Sequence, residues 1–220
     1  MTNIKHLIFD LNEVLMNGIT DLPDAIWEAV KAKVPAGDFD LRSVYSNFFE
    51  TKKALLLDLF RGEKTEEEFF ENFLKLGNYP LTIDELKEIT RKNFWEFSHT
   101  KPILSGLKTN GYDLLLHSDH AKEWVQYVES NFSFLSFFRY KFYSSDLKYT
   151  KLEIESFKSV ISKAEINPKE TLFIDDMPKN LELAREAGIQ YTHCYRDPVR
   201  LTRHFKNLEI KGFWEKGFNY

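Results

Sequence analysis

The chain has almost no cysteine. Cys194 stands alone among 220 residues, so no intrachain disulfide can form and a reducing setting is expected. An excess of one charge is also missing: 30 basic against 34 acidic side chains give a formal net charge of −4. That balance supplies no electrostatic drive toward nucleic acid or an anionic membrane, and leaves a small molecule or a protein as the expected partner. No apolar run approaches the roughly 18 residues of a membrane span, and the first residues lack the basic-then-apolar layout of a secretory signal. These absences predict a soluble, cytoplasmic protein. Repeats and low-complexity tracts are missing too, and Gly212-x-x-x-x-Gly217 runs into Phe218 rather than Lys-Ser or Lys-Thr, so it is no phosphate loop.

What is present is enough apolar material, 43% of residues, to bury one substantial core and still carry a smaller lobe. Short apolar runs bounded by polar turns occur at Leu7–Phe9, Tyr112–His117, Tyr140–Tyr143, Thr171–Ile174 and Ile189–Cys194. Helical patterns lie between several of them, which predicts a parallel sheet with helices on its faces. Phe157, Val160, Ile161 and Ala164 recur at helical spacing, as do Leu181, Ala184 and Ala187, with Gly188 placed to end the second helix. Between about residues 15 and 98 strand-like runs vanish. Two capping boxes appear there, Thr65-x-x-Glu68 and Thr82-x-x-Glu85, each followed by a helical pattern, so this stretch reads as a small helical bundle packed on aromatics.

In an open parallel sheet the ligand crevice lies at the carboxyl ends of the strands. The residues there are Asp10, Ser118, Lys151 and the pair Asp175-Asp176, which are suited to converge on one phosphoryl group. Each has a plainer reading. Asp10 and Ser118 suit strand-end turns, Lys151 lies in a charged stretch with Lys148, and Asp175-Asp176 suits a helix cap. Adjacent carboxylates repel, however, and are easier to explain around a cation. His117 and His120 flank Ser118 without metal-ligand spacing, and His120 reads as an exposed loop residue. The aromatic passage "NFSFLSFFRYKFY" reads as helix, turn and strand feeding the core, "RDPVRLTRHFKN" as a solvated helix face.

In these segments the chain resembles the haloacid dehalogenase superfamily, mostly phosphatases. "FDLNEVL" is similar to the first motif of that family, "LLLHSDH" to the second, "KLEIESF" to the third and "LFIDDMPKNLELAREAGI" to the fourth. The segment containing "RGEKTEEEFF" resembles the helical cap of phosphatases related to the amino-terminal domain of soluble epoxide hydrolase. The resemblance implies an α/β chain: a Rossmann-like parallel sheet core from residues 1–14 and 99–220, with an inserted helical cap from 15–98. It implies a phosphatase of a small phosphorylated metabolite working through an aspartyl-phosphate; a monomer and a homodimer are both open. Asp10 would be the nucleophile, and magnesium would be held by Asp10, the backbone carbonyl of Asn12 and Asp176, with Asp175 supporting. Ser118 would contact a phosphoryl oxygen and Lys151 would neutralise charge.

The chain departs from the family pattern at a chemically important position. Hydrolytic members carry a second Asp two places after the nucleophile, and here that place is Asn12, which cannot exchange protons at neutral pH. Glu13 stands where Gly is common, and Asp119 where Asn is common. Three functions follow as expectations: a phosphatase slowed by Asn12 or helped by Glu13, a phosphoryl-binding protein without turnover, or a haloacid dehalogenase, whose leaving halide needs no proton.

Overall fold

The computed structural model describes residues 3–34, 40–50 and 53–212, so the aromatic tail from Phe213 to Tyr220 lies outside the described residues. The chain opens with β1 (His6–Phe9) and a short β2 (Met16–Asn17). Helices α1 (Leu22–Lys31), α2 (Leu41–Tyr45), α3 (Lys53–Phe60), α4 (Glu66–Gly77) and α5 (Ile83–Asn93) follow, with a π-helical turn at Ser46–Glu50, before β3 (Trp95–Glu96). The remainder alternates: α6 (Thr100–Thr109), β4 (Asp113–Ser118), α7 (Lys122–Asn131), β5 (Tyr140–Tyr143), α8 (Ser144–Leu147), α9 (Ile154–Ala164), β6 (Thr171–Asp175), α10 (Pro178–Glu186), β7 (Tyr191–Cys194) and α11 (Pro198–Asn207).

Strands β5-β4-β1-β6-β7 form one parallel sheet, as the alternation of short apolar runs with helices predicts. Side chains along each strand divide between its two faces. Leu7 and Phe9 of β1, Leu114 and Leu116 of β4, and Leu172 and Ile174 of β6 enter one core; Ile8, Leu115 and Phe173 enter the other, against α9 and α10. The first core continues through Leu11, Val14 and Leu15 to Phe48 and Phe70, so the helices α1 to α5 share apolar packing with the sheet. Both predicted capping boxes form, with Thr65 and Thr82 accepting from Glu68 and Glu85 backbone N–H groups and both carboxylates returning the bond.

One difference from the sequence expectation lies at the two ends of the helical stretch. Met16–Asn17 pairs antiparallel with Trp95–Glu96, so strand structure does occur between residues 15 and 98. Two-residue strands are too short to show alternation, and only their pairing reveals them. No helix among the described residues is long and apolar enough to cross a membrane.

Candidate active site

Register places the site. Phe9 pairs with Leu116 on one side and with Ile174 on the other, and the backbone N–H of Asp10 donates to the carbonyl of Ile174 at 2.9 Å. Asp10 and Asp175 therefore leave neighbouring strands at the same level, with the end of β4 beside them. The chain turns to opposite sides of the sheet on leaving β1, toward β4 and β5 and then toward β6 and β7, which opens a crevice at these carboxyl ends.

Lys151 ties the acids together. Its Nζ lies 2.7 Å from Asp10 Oδ1 and 2.7 Å from Asp175 Oδ2, and all three residues are buried. The plain reading of Lys151 as a solvated lysine is thus overturned: α8 and the turn before α9 carry it inward, where its backbone N–H also donates to both Asp119 oxygens at 3.0 and 3.1 Å. Burial opposes its charge, yet Asp10, Asp175 and Asp119 around it raise its affinity for the proton above the ordinary lysine range. Asp175 is fully engaged by the protein. Besides Lys151 it accepts from the Met177 backbone N–H at 2.8 Å and from Asn180 Nδ2 at 3.0 and 3.1 Å. Asp176 is only partly buried and lines the crevice.

Negative charge exceeds what one ammonium offsets. Burial raises the Asp10 carboxyl well above its usual range, with Asp175 and Asp176 adding to the shift and Lys151 opposing it. Burial likewise pushes Asp119 up to about 6 and raises Asp176, the latter reinforced by Asp175. Ligand atoms from Asp10, Asp175 and Asp176 lie within 4.8 Å of one another, which suits a single metal ion. A hard divalent cation prefers such an all-oxygen set.

Ser118 ends β4 fully buried, and its Oγ has no hydrogen-bond partner. The structure overturns the exposed-loop reading of His120. It is fully buried against Phe94, Trp124 and Tyr143, its backbone N–H donating to Ser144 Oγ, which in turn donates to the Phe60 carbonyl. Asn12 Nδ2 lies 3.3 Å from His120 Nδ1, while Asn12 Oδ1 is buried without a partner. Burial pushes the imidazole down to about 3, so it is neutral. Glu13 adopts φ 61, the left-handed backbone that suits glycine, and its carboxylate accepts from the Gly18 and Thr20 N–H groups at 3.1 and 3.4 Å.

Sequence reasoning places Asp119 at the site only as a departure from the second motif, and misses His120 and Asn180 as parts of this cluster. Asn180 had a faint signal, since an amide in the first turn of α10 lies one helical turn beyond a strand-end acid. His120 had none, because its cover comes from Phe94 and Tyr143, distant in sequence.

Two measurements test the local packing. A Cβ added at Gly18 would sit 2.5 Å from Asn12 Cβ, so Gly18→Ala should destabilise the protein by about 1–3 kcal/mol, read from urea midpoints. His117 is fully buried, its Nε2 2.7 Å from Ser156 Oγ, and burial together with Lys151 holds its pKa well below the ordinary value. The unfolded chain takes up that proton below about pH 6.5 while the folded chain does not, so stability falls with pH by up to about 1.4 kcal/mol per pH unit for this group. Asp119, with its raised pKa, acts in the opposite direction below about 6. The difference between wild type and His117→Gln isolates the histidine: urea midpoints measured between pH 7.5 and 5 should fall less in the variant.

A cavity of about 580 Å³ lies above the acids, with Asp10, Asn12, Asp119, Lys151 and Asp176 on its floor and residues of the π-helical turn and α3 on its roof. Known proteins resemble this chain over most of its length. The chain is 26% identical to D-ribitol-5-phosphate phosphatase of Bacteroides thetaiotaomicron over 193 residues, 85% of this chain and 90% of that protein. It is 24% identical to Enolase-phosphatase E1 of Shewanella loihica, over 77% of this chain and 67% of that one. Among solved structures, a HAD family enzyme from Bacteroides thetaiotaomicron superposes with a TM-score of 0.72 at 24% identity, covering 91% of this chain and 99% of the other. The same enzyme in complex with magnesium and inorganic phosphate gives 0.70, over 90% and 98%. The pattern of the haloacid dehalogenase-like hydrolases matches residues 7–194, a span that contains every strand-end residue of the cluster, and the chain belongs to that family.

Proposed function

We propose that the chain is a magnesium-dependent phosphatase of a small phosphorylated metabolite, with Asp10 as nucleophile. The observation that carries this reading is the cluster of Asp10, Asp175 and Asp176 around buried Lys151 at the floor of a cavity. A relative that is a phosphatase by name, and a structural neighbour that holds magnesium and inorganic phosphate, support it.

The donor set fits the metal, because the acids carry more negative charge than Lys151 offsets. Asp10, Asp176 and the Asn12 carbonyl would hold the ion, and Asp175, whose oxygens are taken by Lys151, Met177 and Asn180, would support from behind. When bound, the ion offsets the repulsion between phosphate and carboxylate. Asp10 attacks phosphorus, a bond from its oxygen to phosphorus forms, and the bond to the alcohol oxygen breaks. Water then attacks the aspartyl-phosphate, releasing phosphate and restoring Asp10. Lys151 orients Asp10 and offsets charge on the phosphoryl group, and the unpartnered Ser118 hydroxyl is a donor for a phosphoryl oxygen.

Proton transfer is the weak step. Asn12 cannot supply a proton, its nearest imidazole is neutral, and Glu13 is held toward its own loop by the Gly18 and Thr20 N–H groups on one carboxylate oxygen. Turnover of alkyl esters is therefore slow, and aryl esters, whose phenolate leaves without protonation, are turned over faster. Helices α1 to α5 serve as a cap whose two connections run side by side as the β2–β3 ribbon. A second reading, phosphoryl binding without turnover, is favoured by Asn12 alone. The test is hydrolysis of p-nitrophenyl phosphate. It should require magnesium and stop on chelation; activity that survives thorough chelation overturns the metal assignment, and magnesium-dependent phosphate binding without turnover favours the second reading.

A further inference from the structure

The floor of the cavity is charged, whereas most of its wall is apolar. From the cap come Phe49, Leu56, Leu57 and Phe60, and from the core rim Leu152 and Met177, which are 43% and 52% exposed. Large apolar side chains left that open at the mouth of a charged site are covered when an apolar ligand part lies on them. The polar groups nearby are largely committed to one another. Glu13 accepts from the Gly18 and Thr20 N–H groups, both Asp119 oxygens accept from the Lys151 N–H, and the Asn180 amide donates to Asp175. Glu50 and Lys53, the charged side chains that the π-helical turn and α3 contribute to the lining, are exposed.

A polyol esterified to phosphate would bring hydroxyl groups against these walls. Against Phe49, Leu56, Leu57, Phe60, Leu152 and Met177 each hydroxyl would lose water and gain no hydrogen bond, and unpaired polar groups of that kind are disfavoured. An aliphatic or aryl-alkyl chain loses nothing there and removes apolar surface from water. The volume, about 580 Å³, is within the range of small-molecule sites.

We infer that the site selects phosphate monoesters of apolar alcohols, branched-chain or aryl-alkyl, over those of polyols such as ribitol. This rests on the phosphatase reading for the chemistry, while the preference itself is a property of the walls. It also separates this chain from the relative named for D-ribitol 5-phosphate, 26% identical to it.

The test separates binding from turnover. Isothermal titration of the magnesium-loaded wild type compares two phosphonates that cannot be hydrolysed, 3-phenylpropylphosphonate and the phosphonate analogue of ribitol 5-phosphate. The first should bind about 10- to 100-fold tighter. Leu57→Gln, which places an amide on the wall, should narrow that ratio. Equal affinity, tighter binding of the polyol analogue, or no measurable binding of either overturns the inference. In parallel, kcat/KM is measured for 3-phenylpropyl phosphate and ribitol 5-phosphate. Apolar preference in binding with no turnover of p-nitrophenyl phosphate or of either ester leaves the inference standing and removes the phosphatase reading; turnover favouring ribitol 5-phosphate with no apolar preference in binding does the reverse.

Discussion

Asp10→Asn should lower magnesium-dependent hydrolysis of p-nitrophenyl phosphate by roughly 10⁴- to 10⁶-fold, the range seen when a member of a covalent catalytic unit is removed. An amide is too weak a nucleophile to attack phosphorus, and Asp175, the other acid on Lys151, is already held by Lys151, Met177 and Asn180. The effect on stability should be different in kind. The sequence suggests a surface carboxylate at a strand end, whereas the structure buries Asp10, 4% exposed, beside Lys151, Asp175 and Asp176. Burial makes the ionised form costlier in the folded than in the unfolded chain, with Lys151 opposing, so replacing Asp10 by a neutral amide should leave the metal-free melting temperature unchanged or higher. Lys151 keeps its contact with Asp175. Magnesium at about 100 times its dissociation constant should stabilise wild type by about 2.7 kcal/mol, and the variant by clearly less. Turnover within tenfold of wild type would remove Asp10 from its role.

Asn12→Asp should raise turnover of an unactivated alkyl phosphate by about 10²- to 10⁴-fold, the usual contribution of positioned acid–base catalysis, and aryl phosphate turnover by less. The site is already shaped for this change. Asp is nearly isosteric with Asn, so the close packing of Gly18 on residue 12 is undisturbed. Asn12 Nδ2 faces His120 Nδ1; with a carboxylate there, the neutral ring needs only the tautomer that carries its proton on Nδ1. That shift breaks no other bond, since His120 Nε2 has no partner. The measurement is a pair of rate constants, alkyl and aryl, for both proteins. An unchanged alkyl rate would mean that proton transfer does not limit this chain, and Glu13→Gln then asks whether Glu13 leaves its loop contacts to supply the proton.

Much of the frame was legible in the sequence because it depends on local rules. Each of the five strands of the sheet appears as a short apolar run between polar turns, and their alternation with helical stripes implies parallel pairing. Both capping boxes are four-residue patterns that form wherever they occur at a helix start. The residues at the strand ends follow from the rule that open parallel sheets present ligands there, and the motif resemblance needed no coordinates. The character of those residues was decided elsewhere. Lys151 reads as a solvated lysine until α8 and α9 bring it between Asp10 and Asp175, 141 and 24 positions away by number but 2.7 Å away in space. His120 reads as a loop residue until Phe94 and Tyr143 close over it. Asp119 becomes a half-buried acid pushed up to about 6 by loss of water around it, while the Lys151 N–H that the turn before α9 brings onto it works in the opposite sense. Local spacing determined which groups stand at the ends of the strands; burial and charge, which sum over every element packed against a side chain, determined what those groups are, and only the tertiary structure brings those elements together.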